Sequence, residues 1–418
     1  MARFLVALIL TLGLASEVRA QVGELVRAGV QARERGHLEQ AIDYFSRAIT
    51  SGELTPSALV RVTIVRGVTY DMNNDLPKAI ADFDEAIRLM PNLAEAFIDR
   101  GLTWARVPDS NRAISDFSVA ARLDEKQAFL ALSNRGNVYR NLGDDARAIA
   151  DYNDAIRLRP DYPASFYNRG LVYYGQEDFK RAISDFTVAL TIDPTFAEAL
   201  VNRAAALAAT GDLASAIMDL DAAIRINPLD NIAFGNRGTL RMAQAQFVRA
   251  LVDFDAAIRL EPENARAYAT RGIAHFYAGQ RDTAIKDLAT AVRLRPADAT
   301  TVIWLHSLRA RAGQDDLPDL KSSADRIDRK QWPGQVVDLH LGVLGPDNLR
   351  VSALPPGSVA KQRARKCELN FQLGVFHLEE RRWDEARREL EAAMEICLPS
   401  SIERIAARVE LTTLGSKP

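Results

Sequence analysis

The feature that most constrains this chain is a unit of about 34 residues that recurs eight times. Each copy carries a small residue, an Ala twelve positions later and a second Ala seven positions after that. Small residues at fixed offsets in a unit of this length predict two antiparallel helices whose backbones cross closely. The small residues are Gly29, Gly67, Gly101, Gly136, Gly170, Ala204, Gly238 and Gly272. The sequence therefore predicts an all-α solenoid, in which each unit packs on its neighbours.

A large apolar residue follows the first Ala of each unit by four positions and is expected to fill the space between helices. These residues are Phe45, Phe83, Phe117, Tyr152, Phe186, Leu220, Phe254 and Leu288. Pro closes most units, where it suits the turn into the next helix. The whole pattern resembles the tetratricopeptide repeat (TPR) family. That resemblance implies a right-handed superhelix of antiparallel helix pairs, whose first helices line a concave groove for protein or peptide partners.

The repeats divide the chain into segments. After the last regular unit, His306 replaces the required small residue, so the array degenerates there. Apolar residues at helical spacing from Ile402 to Val409 predict a helix that covers the last exposed apolar face, as solenoids require. We predict eight repeats over 22–298, a degenerate repeat over 299–330, a non-repeat linker over 331–366, a TPR-like repeat over 367–399 and a capping helix over 400–414.

The first twenty residues are expected to be a signal peptide. Arg3 precedes an apolar run that ends at Leu14, and small residues lead to a cleavage site near Ala20. The run is shorter than the roughly 20 residues that span a bilayer, so an uncleaved anchor is the weaker alternative. Gln21 stands where a lipoprotein needs Cys. We therefore expect a periplasmic or secreted protein without an integral membrane span.

Composition and motifs argue against several functions. The formal net charge is only −2 and is spread evenly, which disfavours nucleic acid and anionic lipid as partners. The five His residues are scattered, with no pair at metal-ligand spacing. No phosphate-binding loop or nucleophile elbow is present. We expect no metal, no cofactor and no enzyme.

Two coupled series of charged residues follow the repeat. Arg precedes the small residue in seven consecutive units, and Asp follows the first Ala by three positions. We expect structural ion pairs, because a guanidinium binds a carboxylate with two hydrogen bonds. The alternative is an anion-binding track, which the matching acids disfavour. The central members are Arg135, Asp151, Arg169, Asp185, Arg203 and Asp219.

A row of Asn residues stands one position before these Arg residues. In the TPR family this part of the first helix faces the groove, and a side-chain amide can both donate to and accept from a peptide backbone. Hydrogen bonds within turns or between helices, and core positions for the apolar members, stay open as alternatives. A clamp for a C-terminal carboxylate is not expected, because its basic partners are missing. The predicted groove comprises Asn134, Asn137, Tyr167, Asn168, Leu171, Tyr174, Asn202, Asn236, Phe276 and Tyr277.

The chain has two cysteines, Cys367 and Cys397, in the late TPR-like repeat. The helix-pair pattern places Cys367 at the start of the first helix and Cys397 at the end of the second. Antiparallel helices bring those ends together, so the two could form a disulfide in an oxidising compartment. Two buried free thiols are the alternative.

The C-terminal block carries a second resemblance. Trp332-Pro333, then Cys367-Glu368, then Phe371-Gln372-Leu373-Gly374 and a closing Glu410-Leu411 resemble the NlpI-type periplasmic TPR proteins of Gram-negative bacteria. That resemblance implies an adaptor that docks envelope proteases or cell-wall hydrolases, with peripheral association with the outer membrane. The missing lipid-accepting Cys puts anchoring in doubt.

Two functions fit these observations. The first is a non-catalytic adaptor that binds protein or peptide partners in the cell envelope through its groove and C-terminal block. The second is a holding chaperone for unfolded polypeptides, which would need no defined partner. Partner selectivity distinguishes them.

Overall fold

The computed structural model describes residues 20–107, 109–353 and 358–415, and over this part of the chain it contains helices and no strand. The predicted all-α class, built of consecutive helix pairs, is confirmed. The predicted signal peptide lies outside the described residues except for Ala20. The chain forms two compact units, one ending at Val172 and the other beginning at Tyr173.

Unit 1 consists of repeats one to four and most of the next first helix. Within each repeat an odd-numbered first helix precedes an even-numbered second helix. The helices are α1 Ala20–Glu34, α2 Leu38–Thr50, α3 Pro56–Met72, α4 Leu76–Leu89, α5 Ala94–Arg106, α6 Ser110–Leu123, α7 Ala128–Asn141, α8 Asp145–Leu158 and α9 Pro163–Gly175, the last of which continues into unit 2.

Unit 2 holds the remaining repeats, a region of short helices and a final helix pair with its cap. The repeat helices are α10 Phe179–Ile192, α11 Ala197–Thr210, α12 Leu213–Ile226, α13 Asn231–Ala243, α14 Phe247–Leu260, α15 Ala265–Tyr277, α16 Arg281–Leu294 and α17 Ala299–Arg311. The others are α18 Leu317–Ala324, α19 Gln335–His340, α20 Pro346–Ser352, α21 Val359–Glu379, α22 Trp383–Ile396 and α23 Ile402–Gly415.

Close packing between the two helices of a repeat explains the small residues. A Cβ added to Gly101 would lie 2.8 Å from the ring of Phe117, and one added to Gly136 would lie 2.7 Å from the ring of Tyr152. Such contacts are closer than two carbon atoms tolerate. In the sixth repeat Ala204 replaces the Gly, and the facing residue is Leu220 rather than an aromatic residue. The small residue and the large residue that faces it therefore compete for the same space, so a larger side chain at one position requires a smaller one at the other.

Asp residues fix the start of the second helix in repeats two to six. In each case the carboxylate accepts a hydrogen bond from the backbone N–H three residues ahead, which satisfies a donor that the helix leaves unpaired. The donor–acceptor distances run from 3.0 to 3.4 Å. These caps are Asp75, Asp109, Asp144, Asp178 and Asp212.

The boundary of the predicted linker is wrong at its C-terminal end. Helix α21 begins at Val359, so the last eight residues of the predicted linker are all helical and Cys367 lies inside the helix rather than at its start. The rest of the predicted linker contains α19 and α20. Their apolar residues pack with α17, α18 and α21 into one core, which includes Ile303, Leu320, Val336, Leu349 and Leu373.

A disulfide joins Cys367 in α21 to Cys397, which directly follows α22. The two Cα atoms lie 4.9 Å apart, and the bond closes a loop with a sequence separation of 30 residues. Both residues belong to the same buried cluster as Phe371 and Leu390. The bond therefore fastens the end of the helix pair to the core of unit 2.

Candidate functional site

We define the first-helix face by the residues one, four and five positions after the small residue of each repeat. In unit 1 part of this face is open to solvent, although Val30 and Asp71 are buried. Leu102, one position after Gly101, is 42% exposed, and Met72, five positions after Gly67, is 40% exposed. Asn141, five positions after Gly136, is exposed as well. Unit 1 thus presents apolar and amide side chains on this face.

Several of these positions are buried in unit 2, although Thr239 is partly exposed and Gly175 is exposed. Ile273, which corresponds to Leu102, is 5% exposed, and Ala243, which corresponds to Met72, is 3% exposed. Met242, four positions after Gly238, is fully buried. All three lie in one hydrophobic cluster with residues of α21 and α23. The chain's own C-terminal helices therefore cover part of the first-helix face of this unit.

The C-terminal block, which we define as α21 to α23, contacts the ends of successive first helices. Arg363 of α21 donates to Glu177 with an Nε to Oε2 distance of 3.0 Å. Arg408 of α23 donates to the carbonyl oxygen of Ala243 at 2.6 Å. The hydroxyl of Tyr277 donates to Glu410 at 3.3 Å. Residues later in the C-terminal block thus contact repeats later in the chain.

Glu410 is the most deeply buried charge in this interface, at 3% exposure. Arg311, at the end of α17, donates to both of its oxygens, at 2.7 and 3.0 Å. Burial raises the pKa of the neighbouring Tyr277 hydroxyl well above its ordinary value, so Tyr277 stays a neutral donor. Removal of one partner would leave a buried charge unpaired, so loss of either residue is expected to destabilise the docked block.

The predicted groove residues that belong to unit 1 are all partly exposed on α7 and α9. They are Asn134, Asn137, Tyr167, Asn168 and Leu171. Asn137 is engaged by its own repeat, since its Oδ1 accepts from the hydroxyl of Tyr152 at 2.8 Å. Between the two helices, buried Ser165 and Ser133 lie 3.4 Å apart and hold the pair in register.

In unit 2 the predicted groove needs correction. The C-terminal helix contacts Tyr277 through Glu410, and the guanidinium of Arg311 lies 4.9 Å from the ring centre of Phe276. Neither residue faces an open groove. Tyr174 packs edge-on against Phe179. Asn236 is partly exposed. The amide of Asn202 donates to the carbonyl of Glu198 in its own helix at 2.8 Å, so part of its hydrogen-bonding capacity is used there.

The Arg and Asp series form bidentate pairs within repeats. Arg135 donates to Asp151 at 2.8 and 2.6 Å, and Arg203 donates to Asp219 at 2.8 and 2.7 Å. The hydrogen bond to Asp151 raises the pKa of Arg135 above its ordinary value, which keeps the guanidinium charged. Arg169 belongs to unit 1, whereas Asp185 belongs to unit 2 and is 5% exposed.

A third contact, which the sequence analysis missed, ties each Arg to the preceding repeat. The free guanidinium nitrogen of Arg135 donates to Ser118 at 2.7 Å, and that of Arg271 donates to Asp255 at 2.7 Å. The acceptor always directly follows the large apolar residue of the earlier repeat, so the signal was present in the sequence. The acceptors are Ser46, Asp84, Ser118, Asn153, Thr187, Asp221 and Asp255.

A shallow depression of about 310 Å³ lies on this ladder in unit 2. It is lined by Ile183, Arg203, Leu207 and Met218, among others. Arg203 is the cation in its wall, and its donors are already directed to Asp219 and Thr187. The depression therefore offers no unpaired positive charge to an anionic ligand.

Among the helices that the structure describes, none is both long and apolar enough to cross a bilayer. Models of the family described as TPR repeat or tetratricopeptide repeat match residues 136–177 and 167–231. These matches cover the regular central repeats. No curated protein sequence matches the chain.

Several solved structures share the repeat fold. YrrB, described as a TPR protein with an unusual peptide-binding site, is 23% identical, with a TM-score of 0.39 over 44% of this chain and 95% of its own. A tetratricopeptide repeat protein from Parabacteroides merdae is 18% identical, with a TM-score of 0.47 over 60% of this chain and 98% of its own. PilW, a type IV pilus biogenesis factor, is 20% identical, with a TM-score of 0.44 over 47% and 93%.

Proposed function

This chain is a tetratricopeptide repeat protein, and we propose that it is a non-catalytic adaptor that binds extended protein segments on the first-helix face of unit 1. The observation that carries the proposal is the contrast between the units. Leu102 is 42% exposed, whereas the corresponding Ile273 is 5% exposed beneath the C-terminal block. At this register unit 2 packs against C-terminal helices of the same chain, whereas the third repeat of unit 1 keeps its side chain accessible to a partner.

The chemistry of the unit 1 face suits an extended polypeptide. Asn134 and Asn168 lie two positions before the small residue, about one helical turn before the first position of this face, and are both partly exposed. Their amides can bond the backbone N–H and C=O groups of a bound segment, whatever its sequence. Leu102 and Leu171 supply apolar contact for its side chains. Because rigid helices present these groups, little ordering cost opposes binding.

The proposed setting is the cell envelope. The N-terminal apolar run is the basis for export, and a disulfide between Cys367 and Cys397 suits an oxidising compartment. The resemblance of the C-terminal block to NlpI-type proteins suggests envelope proteases or cell-wall hydrolases as partners. The adaptor would hold such an enzyme near its substrate.

Affinity capture from envelope extract with residues 21–418 tests this function. Asn134→Ala combined with Asn168→Ala should lower the affinity for a few discrete partners about tenfold, since two hydrogen bonds are lost. Asn202→Ala combined with Asn236→Ala is the matched control, because it removes the same amides in unit 2. We expect the control to bind almost as the parent does.

Two outcomes contradict the proposal. Equal loss in both double variants would show that the binding surface is not confined to unit 1. A broad set of unfolded clients, bound equally by all three proteins, would favour the holding chaperone instead. Circular dichroism of each variant shows whether its helices are intact.

A further inference from the structure

Three elements of unit 2 bring two imidazoles and a carboxylate together. His306 lies in α17, His340 ends α19 and Glu379 ends α21, and their ligand atoms all lie within 4.8 Å of one another. The expectation of scattered histidines is thus wrong for these two, because the fold closes a separation that no spacing motif records. We propose that His306, His340 and Glu379 form a binding site for a divalent transition metal ion of the zinc class.

Unsatisfied buried atoms are the first support. The side chain of His340 is only 1% exposed, yet its Nε2 has no hydrogen-bond partner among the described residues. Oε1 of Glu379 has no hydrogen bond of normal length, and the Ser307 hydroxyl, next to His306, is a donor that faces this carboxylate. A buried polar atom without a partner is unfavourable. A metal ion bound by Nδ1 of His340 and by Glu379 would give the Glu379 carboxylate a partner. Nε2 of His340 lies on the other side of the ring and would not contact that ion.

The orientation of His306 is the second support. Its Nδ1 lies 3.1 Å from a carboxylate oxygen of Asp316, which is 6% exposed and also pairs with Arg309. Metal-binding histidines usually donate one ring N–H to a carboxylate, which fixes the ring and leaves the other nitrogen for the metal. Asp316 is therefore a positioning residue for this site.

The distances agree with tetrahedral coordination. With Zn–N bonds of about 2.0 to 2.1 Å, two coordinating imidazoles have ring centres about 5 Å apart and ligand atoms about 3.3 Å apart. The ring centres of His306 and His340 lie 5.2 Å apart, and the planes are inclined by 77°. Nδ1 of His340 lies 3.2 Å from Oε2 of Glu379. Small side-chain movements would complete the geometry.

A buried His–Glu ion pair is the competing interpretation. It accounts for the contact between His340 and Glu379, but it does not account for the approach of His306 to the same point. Two imidazoles and one carboxylate are ligands that zinc accepts readily, with a fourth position open to water or to a partner's side chain. A bound ion would join α21 of the C-terminal block to α17 and α19.

Binding of Zn²⁺ alone to the untagged mature chain, residues 21–418, tests the site. After treatment with EDTA, titration against a chromogenic chelator should show one ion per chain. Co²⁺ in its place should give the intense visible absorption of a tetrahedral complex. Zn²⁺ should also raise the melting temperature, and EDTA should reverse the rise, because a ligand that binds only the folded state stabilises it.

Variants assign the ligands. His306→Gln, His340→Gln and Glu379→Gln should each weaken binding at least tenfold and abolish the Co²⁺ absorption. His37→Gln, on the surface, and His377→Gln, which removes a buried His of α21, are controls that should retain both. A parent chain without stoichiometric binding or tetrahedral absorption overturns the proposal even if a variant fails to fold. Undiminished binding in all three ligand variants overturns it as well.

Discussion

At the scale of single residues, the contact that recurs in most repeats is the close packing of a Gly against a facing aromatic ring. We predict that Gly101→Ala lowers the free energy of unfolding by about 1 to 3 kcal/mol, because the added Cβ would overlap the ring of Phe117. Urea denaturation measures the change.

The sixth repeat supplies the control, since it naturally combines Ala204 with Leu220. Adding Phe117→Leu to Gly101→Ala should recover part of the loss, although Phe117→Leu alone leaves a gap and is destabilising. Additive losses in the double variant would show that the two positions do not share volume.

His377 gives the stability of unit 2 a dependence on pH. It is 5% exposed, and burial, followed by the charge of Arg382, lowers its pKa below the ordinary 6.5. A base with a lowered folded-state pKa contributes stability above the unfolded-state value, and this stability is lost as pH falls from about 6.5 towards the folded-state pKa. Urea unfolding between pH 7.5 and 5 should show this decline.

His377→Gln provides the comparison, because it cannot gain a proton in this range. The difference in unfolding free energy between parent and variant should shrink or reverse as pH falls. A difference that stays constant from pH 7.5 to 5 would exclude His377 as the titrating group.

At the scale of elements, the ladder contains strong and weak links to the same guanidinium. Arg271 contacts Asp287, whose side chain is 8% exposed, and Asp255, whose side chain is 56% exposed. Asp287→Ala should cost about 3 kcal/mol, because a mostly buried Arg loses its partner. Asp255→Ala should cost at most about 1 kcal/mol. Thermal denaturation of both variants compares them, and equal costs would contradict the difference in burial.

The C-terminal block depends on the pair between Glu410 and Arg311. Glu410→Gln keeps the shape but removes the charge, so we expect faster amide exchange over residues 402–415 and unchanged exchange in unit 1. Exposed Glu395, in α22 of the same block, provides the control variant Glu395→Gln. Hydrogen exchange with mass spectrometry measures the amide exchange rates in both variants. Unchanged protection of α23 in Glu410→Gln would show that apolar packing alone holds the block.

Elements differ in how far the sequence reveals them. Helix pairs follow from residues that meet about half a repeat apart, as Arg135 and Asp151 do, so each contact leaves a periodic trace. Docking of the C-terminal block joins residues as far apart as Glu177 and Arg363, separated by 186 positions, and it occurs once. A single long-range contact has no periodicity to detect. For that reason the contacts of Tyr277 with Glu410 and of His306 with His340 were missed.

At the scale of the whole molecule, the disulfide is expected to stabilise unit 2 alone. Replacing Cys367 and Cys397 with Ser should lower the unfolding free energy of this unit by about 3 to 4 kcal/mol, from the loop-closure entropy of the 30-residue separation. In a Trp104→Phe background, all remaining Trp residues belong to unit 2, namely Trp304, Trp332 and Trp383. Tryptophan fluorescence then reports the unfolding of unit 2. Hydrogen exchange in unit 1 should not change.

The ladder's third contact bears on how such a chain can change its copy number. In unit 1, excision of residues 101–135 would join Arg100 to Gly136, and Arg100 would then face Asp151 while it keeps Asp84 on the preceding repeat. The Arg contacts between neighbouring repeats of unit 1 are equivalent, so duplication or deletion of a whole repeat in evolution can preserve them. In unit 2 the C-terminal block contacts successive first-helix ends in order, so a gain or loss of one repeat would misalign it. Docking of the C-terminal block therefore constrains the number of repeats in unit 2.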